Sequence, residues 1–250
     1  MHSDTALFRT IDEGHPDVVG FLLSQGVEFN MRVVEAAALT ENLTILTSFH
    51  RHGWDINQKI IWNVPPALGH VTENEDLVQW FLQHGADANA TCTLDLTPLS
   101  TAVRYAAFAV IKQLFDRSGS VEHGQLLHHV IRRQNDDDRF QVFSFILAMY
   151  PSVDGNIPYI NDRMYRNHSE SYMLRSAFGL GTPLHTAADE SHADIVRELL
   201  RKGAERSLLD SNGRTALQRA AYHSHKDVVE ILQALQAGTH DILDIADVVN

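Results

Sequence analysis

Histidine is the residue this chain offers most freely to chemistry. Fifteen are present, with close pairs at His50/His52, His128/His129 and His223/His225. A zinc site needs three or four converging ligands, commonly short-spaced pairs with cysteine among them. Helix neighbours one or two residues apart point to different sides, so none of these pairs closes a site by itself. The run Asn135-Asp136-Asp137-Asp138-Arg139 puts adjacent carboxylates together, as a hard cation would need. It falls between two predicted helices and reads as a solvated loop. Cys92 is the single cysteine. It has no activating arrangement in the sequence, so no nucleophile is assigned to it. A lone cysteine also excludes an intramolecular disulfide and suits a reducing compartment. No phosphate-cradling loop and no Gly-x-Ser-x-Gly element is found. The expectation is a chain without catalytic, cofactor-binding or metal-binding residues, and without a cofactor.

What would position these side chains is a repeat. Gly181 to Gly203 reads GTPLHTAADESHADIVRELLRKG. Leu184, Ala187 and Ala188, then Ile195, Val196, Leu199 and Leu200, mark two short helical faces around the polar break Asp189-Glu190-Ser191-His192. Neither helix is long enough to bury its own apolar face. Thr182 to Thr215, Asp194 to Asp227 and Leu199 to Leu232 are each 33 residues apart. A fixed period in this range means stacked supersecondary units. Thr182 is a suitable N-cap, Pro183 suits a first helical turn, and Gly203 is the expected left-handed helix stop.

Thr-Pro-Leu-His-x-Ala-Ala, the Ser-His turn, Asp-Ile-Val-x-x-Leu-Leu and the closing Gly-Ala resemble the ankyrin repeat. Worn copies extend the resemblance backwards. Asp17 to Gly26 matches a second helix and its stop, with His15 where His192 sits; Leu77 to Asp87 is a near-consensus second helix; Thr97-Pro98-Leu99 restarts the motif. The resemblance implies an all-α ankyrin-repeat solenoid of stacked helix–turn–helix units with short β-hairpin fingers. A single domain, 1–250, is expected. Its repeats fall at about 5–30, 31–57, 63–94, 96–121, 124–154, 181–210 and 214–238, with an irregular insert at 154–180 and a C-terminal cap at 239–250. In this family the turn and motif histidines are structural, hydrogen-bonding across turns and repeats.

Composition narrows the function classes. An apolar content of 44% with 21% charged residues is ordinary for a folded soluble protein. The net charge of −12 argues against a nucleic-acid surface. No basic leader with an apolar run and no membrane-length apolar stretch is seen, so a cytoplasmic or nuclear monomer is expected, with no membrane partner.

Ankyrin proteins commonly contact partners through finger tips and the residues just after the first helix's paired small positions. Repeat by repeat those residues are Asp12/Glu13, Leu39/Thr40, Val71/Thr72, Arg104/Tyr105, Arg132/Arg133, Asp189/Glu190 and Tyr222/His223. Arg and Tyr are enriched where binding energy concentrates, and a guanidinium holds carboxylates bidentately. The candidate partner-binding residues are Arg104, Tyr105, Arg132, Arg133, Asp189, Glu190, Tyr222 and His223. Their expected partner is a protein with an acidic or mixed-charge segment, and the role non-catalytic. The finger Thr93-Leu94-Asp95-Leu96 lacks the turn glycine and is expected to expose two leucines. The alternative is a small-molecule or enzymatic pocket formed by the 154–180 insert folded over the groove, with Tyr159, Tyr165, Arg166, His168 and Tyr172, and with His128, His129, Tyr165 and His168 as acid–base residues.

Overall fold

The computed structural model describes residues 3–151, 157, 159–165 and 169–234. The expected cap at 239–250, and Arg166 and His168 of the insert, lie outside them. Contacts divide the chain into two compact units, Met1–His129 with Arg133–Asn135, and Val130–Arg132 with Asp136–Asn250.

The first unit runs α1 (Ser3–Asp12), α2 (Pro16–Ser24), α3 (Met31–Leu39), α4 (Leu43–Arg51), a 3-10 turn at Ala67–His70, α5 (Glu75–Gln83), α6 (Pro98–Tyr105), α7 (Phe108–Asp116) and most of α8 (Leu126–Ile131). The second holds the end of α8, then α9 (Arg139–Met149), α10 (Ser169–Arg175), a 3-10 turn at Ser176–Phe178, α11 (Pro183–Asp189), α12 (Ala193–Arg201), α13 (Ala216–Tyr222) and α14 (Lys226–Ala234). Among the described residues there is no strand, and no helix is long and apolar enough to cross a membrane.

These are stacked helix pairs. In the first unit α1 packs on α2 and α3, α2 on α4, and both α3 and α6 on the 3-10 turn. In the second, α11 packs on α12 and α13, and α12 on α14 and α9. Fully buried Ala37, Ala38, Ala102, Ala187 and Ala188 sit on first helices, and Ile45, Leu46, Ile111, Leu114, Ile195 and Leu199 on second helices. Small first-helix residues let neighbouring units approach. The larger second-helix residues supply the burial, each worth about 1.5–3 kcal/mol.

Local signals set the helix ends. Asn30, Asn42, Asn74, Thr97 and Thr215 accept backbone N–H groups as N-caps. Gly26, Gly53, Gly85 and Gly203 stop second helices with φ of +79°, +90°, +85° and +91°. Gly181 is required for a different reason. A Cβ there would lie 2.5 Å from the His185 Cβ.

The fingers are hairpins cut down to single turns. Cys92 N–H donates to Leu96 O at 3.0 Å, and Asp210 N–H to Arg214 O at 2.8 Å. An asparagine side chain preceding the finger bridges to the helix stop of the next repeat in three places. Asn57 holds Gly85 O and Asp87 N–H, Asn89 holds Ser118 O and Ser120 N–H, and Asn161 holds Gly203 O and Glu205 N–H.

The third bridge changes the reading of the insert. Met164 N–H donates to Gly181 O at 3.1 Å, the same finger-closing bond with a wider loop. Its span is 17 residues (181 − 164), against 4 for 92–96 and 210–214. The bridge from Asn161 to Gly203 spans 42 residues, against 29 from Asn89 to Ser118. Both differences equal thirteen. The insertion is therefore an enlarged finger containing α10, placed between a finger-closing bond and the next Thr-Pro-Leu-His.

The finger Thr93–Leu96 also departs from expectation. Leu94 is 2% exposed and Leu96 half-buried. Asp95 takes the glycine role with φ +54°, and its carboxylate accepts from Gly124 N–H and the Gln125 amide. That anchorage turns Leu94 inward. Trp54 is buried, and Trp62 is exposed.

Candidate functional site

Arg104, Tyr105 and Arg133 lie in the first unit; Arg132, Asp189, Glu190, Tyr222 and His223 lie in the second. Arg104 ends α6 with its guanidinium 5.3 Å from the centre of the Tyr105 ring, and its Nε is buried without a hydrogen-bond partner. This is a cation resting on an aromatic face at the exposed end of a helix.

Arg133 is not a surface residue. It is 1% exposed, and its guanidinium donates to Val103 O at 2.9 Å and Ala106 O at 2.7 Å. These carbonyls end α6, where unpaired oxygens and the helix's partial negative charge collect. Adjacent arginines one residue apart point opposite ways, so only one of the pair reaches solvent. Val71 and Thr72 are also buried, which removes that pair from any exposed surface.

In the second unit the charges pair among themselves. Arg132 Nε lies 3.3 Å from Glu190 Oε1, both half-exposed. Asp189 is held by both ends of the Arg219 fork, with Arg219 Nε donating to Oδ1 at 2.7 Å and Nη2 to Oδ2. Arg219 also donates to Gly179 O at 2.9 Å and approaches Asp210 at 3.6 Å. Burial lifts the Asp189 carboxyl above its ordinary range, opposed by Arg219. Beside this network Tyr222 stands 72% exposed, its ring edge-on to His223 and 5.2 Å from the Arg214 guanidinium. Arg219 and Asp210 were not picked out by sequence. Their signal was there: Arg219 lies thirty residues after Asp189, three short of the repeat period.

The histidines do structural work. His185 Nδ1 accepts from Thr182 N–H at 3.2 Å, leaving Nε2–H to donate to Arg214 O at 3.1 Å. His225 Nδ1 lies 2.9 Å from Ala188 O. Burial holds His70, His185 and His192 below the ordinary imidazole value. Among the described residues no three His, Cys, Asp or Glu side chains are grouped to hold a metal. His128 and His129 are buried, in the first unit, and Tyr165 is buried in the second. A cleft of about 430 Å³ does open at the enlarged finger, lined by Asn161, Arg163, Tyr172 and Leu208.

Comparison with known proteins supports the stacked-unit reading. The family model of ankyrin repeats matches residues 159–242 in three copies, beginning just before the enlarged finger. Similar curated proteins include a probable E3 ubiquitin-protein ligase, XBOS33, of Oryza sativa subsp. japonica, 42% identical over 74 residues, 29% of this chain and 14% of that protein. The ankyrin repeat and KH domain-containing protein mask-1 of Caenorhabditis elegans is 25% identical over 244 residues, 91% of this chain and 8% of that one. The NAD-capped RNA hydrolase NUDT12 of Macaca fascicularis is 32% identical over 72 residues, 29% of this chain and 16% of that one. The chain thus spans a small part of each relative's length.

Proposed function

From the premise that this chain carries ankyrin repeats, units that generally serve protein interaction, we propose that it is a non-catalytic module recognising a segment of another protein. The observation that carries this is the exposed end of α13. Tyr222 stands exposed, with His223 3.9 Å from Asp189 Oδ1, beside charges already locked in place, Asp189 by Arg219 and Glu190 by Arg132. Preorganised charges flanking an exposed aromatic anchor are what a recognition surface needs, because little is left to order on binding. Arg104 and Tyr105 offer a second such pair, in the first unit. Arg133 has no part in this reading, since its guanidinium belongs to α6.

A partner with mixed charge fits the remaining half-exposed groups, Glu190 and Arg132. The test is capture from lysate of the source cells with the whole chain, comparing wild type with Tyr222→Ala and with Arg132→Glu, circular dichroism confirming the fold of each. The expected outcome is a specific protein whose affinity falls about tenfold or more in both variants. If the captured proteins and their affinities are the same for all three, the surface is not the one used.

The cleft at the enlarged finger favours a binding role over chemistry. Its lining offers a cation, a phenol and an amide, a set suited to holding an anionic group. Among the described residues that line it there is no carboxylate, imidazole or thiol.

A further inference from the structure

Several described arginines of the second unit are committed to carboxylates. Arg132, Arg139, Arg201 and Arg219 each hold a carboxylate. Arg163 holds none among the described residues: it lines the cleft at the enlarged finger, where Nη1 donates weakly to the Tyr172 hydroxyl at 3.4 Å. A half-buried guanidinium with five donors and one distant protein acceptor keeps donors available to a ligand. Its charge also bears on His185, where it helps hold the imidazole neutral. The site has been kept cationic in a chain of net charge −12.

The walls say what would satisfy it. Asn161 is fixed by its bridge to Gly203 and Glu205, so that side of the cleft is rigid. The Tyr172 hydroxyl can donate a second hydrogen bond to an anion seated on Arg163, and Leu208 supplies an apolar wall. The inserted segment also exposes Met173 at 70% and Phe178 at 79%, apolar surface available to a partner. One guanidinium and one phenol match a single planar carboxylate, which the Arg fork accepts bidentately. A polyanion would meet the repulsion of the whole molecule with only this cation to hold it.

We propose that the cleft lined by Asn161, Arg163, Tyr172 and Leu208 receives an aspartate or glutamate side chain of a bound protein segment, with apolar residues beside that acid packing on Met173 and Phe178. This rests on the reading of the chain as a protein-recognition module, and it places the acid of the partner on the enlarged finger and not on Arg104, Tyr105, Arg132 and Arg133, the residues expected from sequence.

The experiment is selection of a random peptide library on the full chain, followed by titration of the winning peptides by fluorescence anisotropy. The expected winners carry an Asp or Glu beside an apolar residue. Changing that acid to its amide, or the protein by Arg163→Gln, weakens binding about tenfold or more, and combining both changes adds little further. Tyr172→Phe, which keeps the ring, weakens binding by a smaller factor, and Arg197→Gln, on an exposed helix face, leaves it unchanged. Winners that bind Arg163→Gln as tightly as wild type overturn the proposal. If those same winners lose affinity with Tyr222→Ala, the recognition reading stands and the cleft assignment alone falls. A selection that yields no binder overturns both.

Discussion

Arg133 shows how a charged residue can be wholly structural. Its guanidinium closes the end of α6 through the carbonyls of Val103 and Ala106, so Arg133→Ala leaves two buried acceptors short of a donor. The expected cost is about 2–4 kcal/mol, read as a lower urea midpoint with the slope unchanged. An unchanged midpoint would show that the side chain is not buried in this way. The histidines add a pH dependence of definite sign. His70, His185 and His192 have folded values below the ordinary one, so at mildly acid pH the unfolded chain binds more protons than the folded one. Stability from these groups is complete above about pH 6.5 and is lost as pH falls below it. Asp189, lifted by burial, acts in the opposite direction at lower pH. Thermal scans between about pH 7 and pH 5 should show a falling midpoint, and His185→Gln should flatten that fall; an equal slope in the variant refutes the assignment to His185.

At the scale of elements, the links between paired helices repeat one conformation with different residues. Gly14, Glu41, Ser191 and Ser224 all take left-handed φ, at +72°, +53°, +61° and +61°, just before the next helix begins. A side chain pays steric strain there that glycine avoids, so Ser191→Gly and Ser224→Gly should each raise stability by roughly 0.5 kcal/mol, less what glycine adds to unfolded-chain entropy. Chemical denaturation decides the sign. The enlarged finger is the other test at this scale. Deleting residues 165–177 restores the four-residue span of the finger-closing bond and leaves Gly179 and Leu180, which pair with Arg219 and Ser211. The shortened chain should fold cooperatively, because the stacked pairs α11–α12 and α13–α14 lie outside the deletion, at the cost of the buried Tyr165 and Ser171. It should also lose the acidic-peptide binding assigned to the cleft. Failure of the shortened chain to fold would mean that α10 belongs to the core of the second unit.

For the whole molecule, charge sets how partners arrive. A net charge of −12 repels an acidic segment at long range, whereas the Arg163 contact attracts it at short range. Added salt screens the first more than the second. Association of an acidic peptide should therefore speed up with ionic strength while its dissociation also speeds up, and stopped-flow measurement at low and moderate salt separates the two. An association rate that falls with salt would mean that a local cationic surface, not the net charge, steers the encounter.

The stacked helix pairs were legible in the sequence because they rest on local rules. The 33-residue period, the Thr-Pro starts, the glycine stops and the alternation of small and large apolar residues each act within one or two turns of chain. The pairing of exposed Tyr222 and His223 also followed from the repeat register. What tertiary structure alone decided was the direction of side chains whose neighbours are distant in sequence. Leu94 turned inward because Asp95 is tied to Gly124 and Gln125. Arg132 and Arg133 parted because one meets Glu190 and the other the end of α6. The insert became a finger because Met164 closes on Gly181 across seventeen residues (181 − 164) and Asn161 reaches Gly203 across forty-two (203 − 161). A periodic pattern names the face a residue occupies; only the packed neighbours determine whether its polar atoms are already satisfied there.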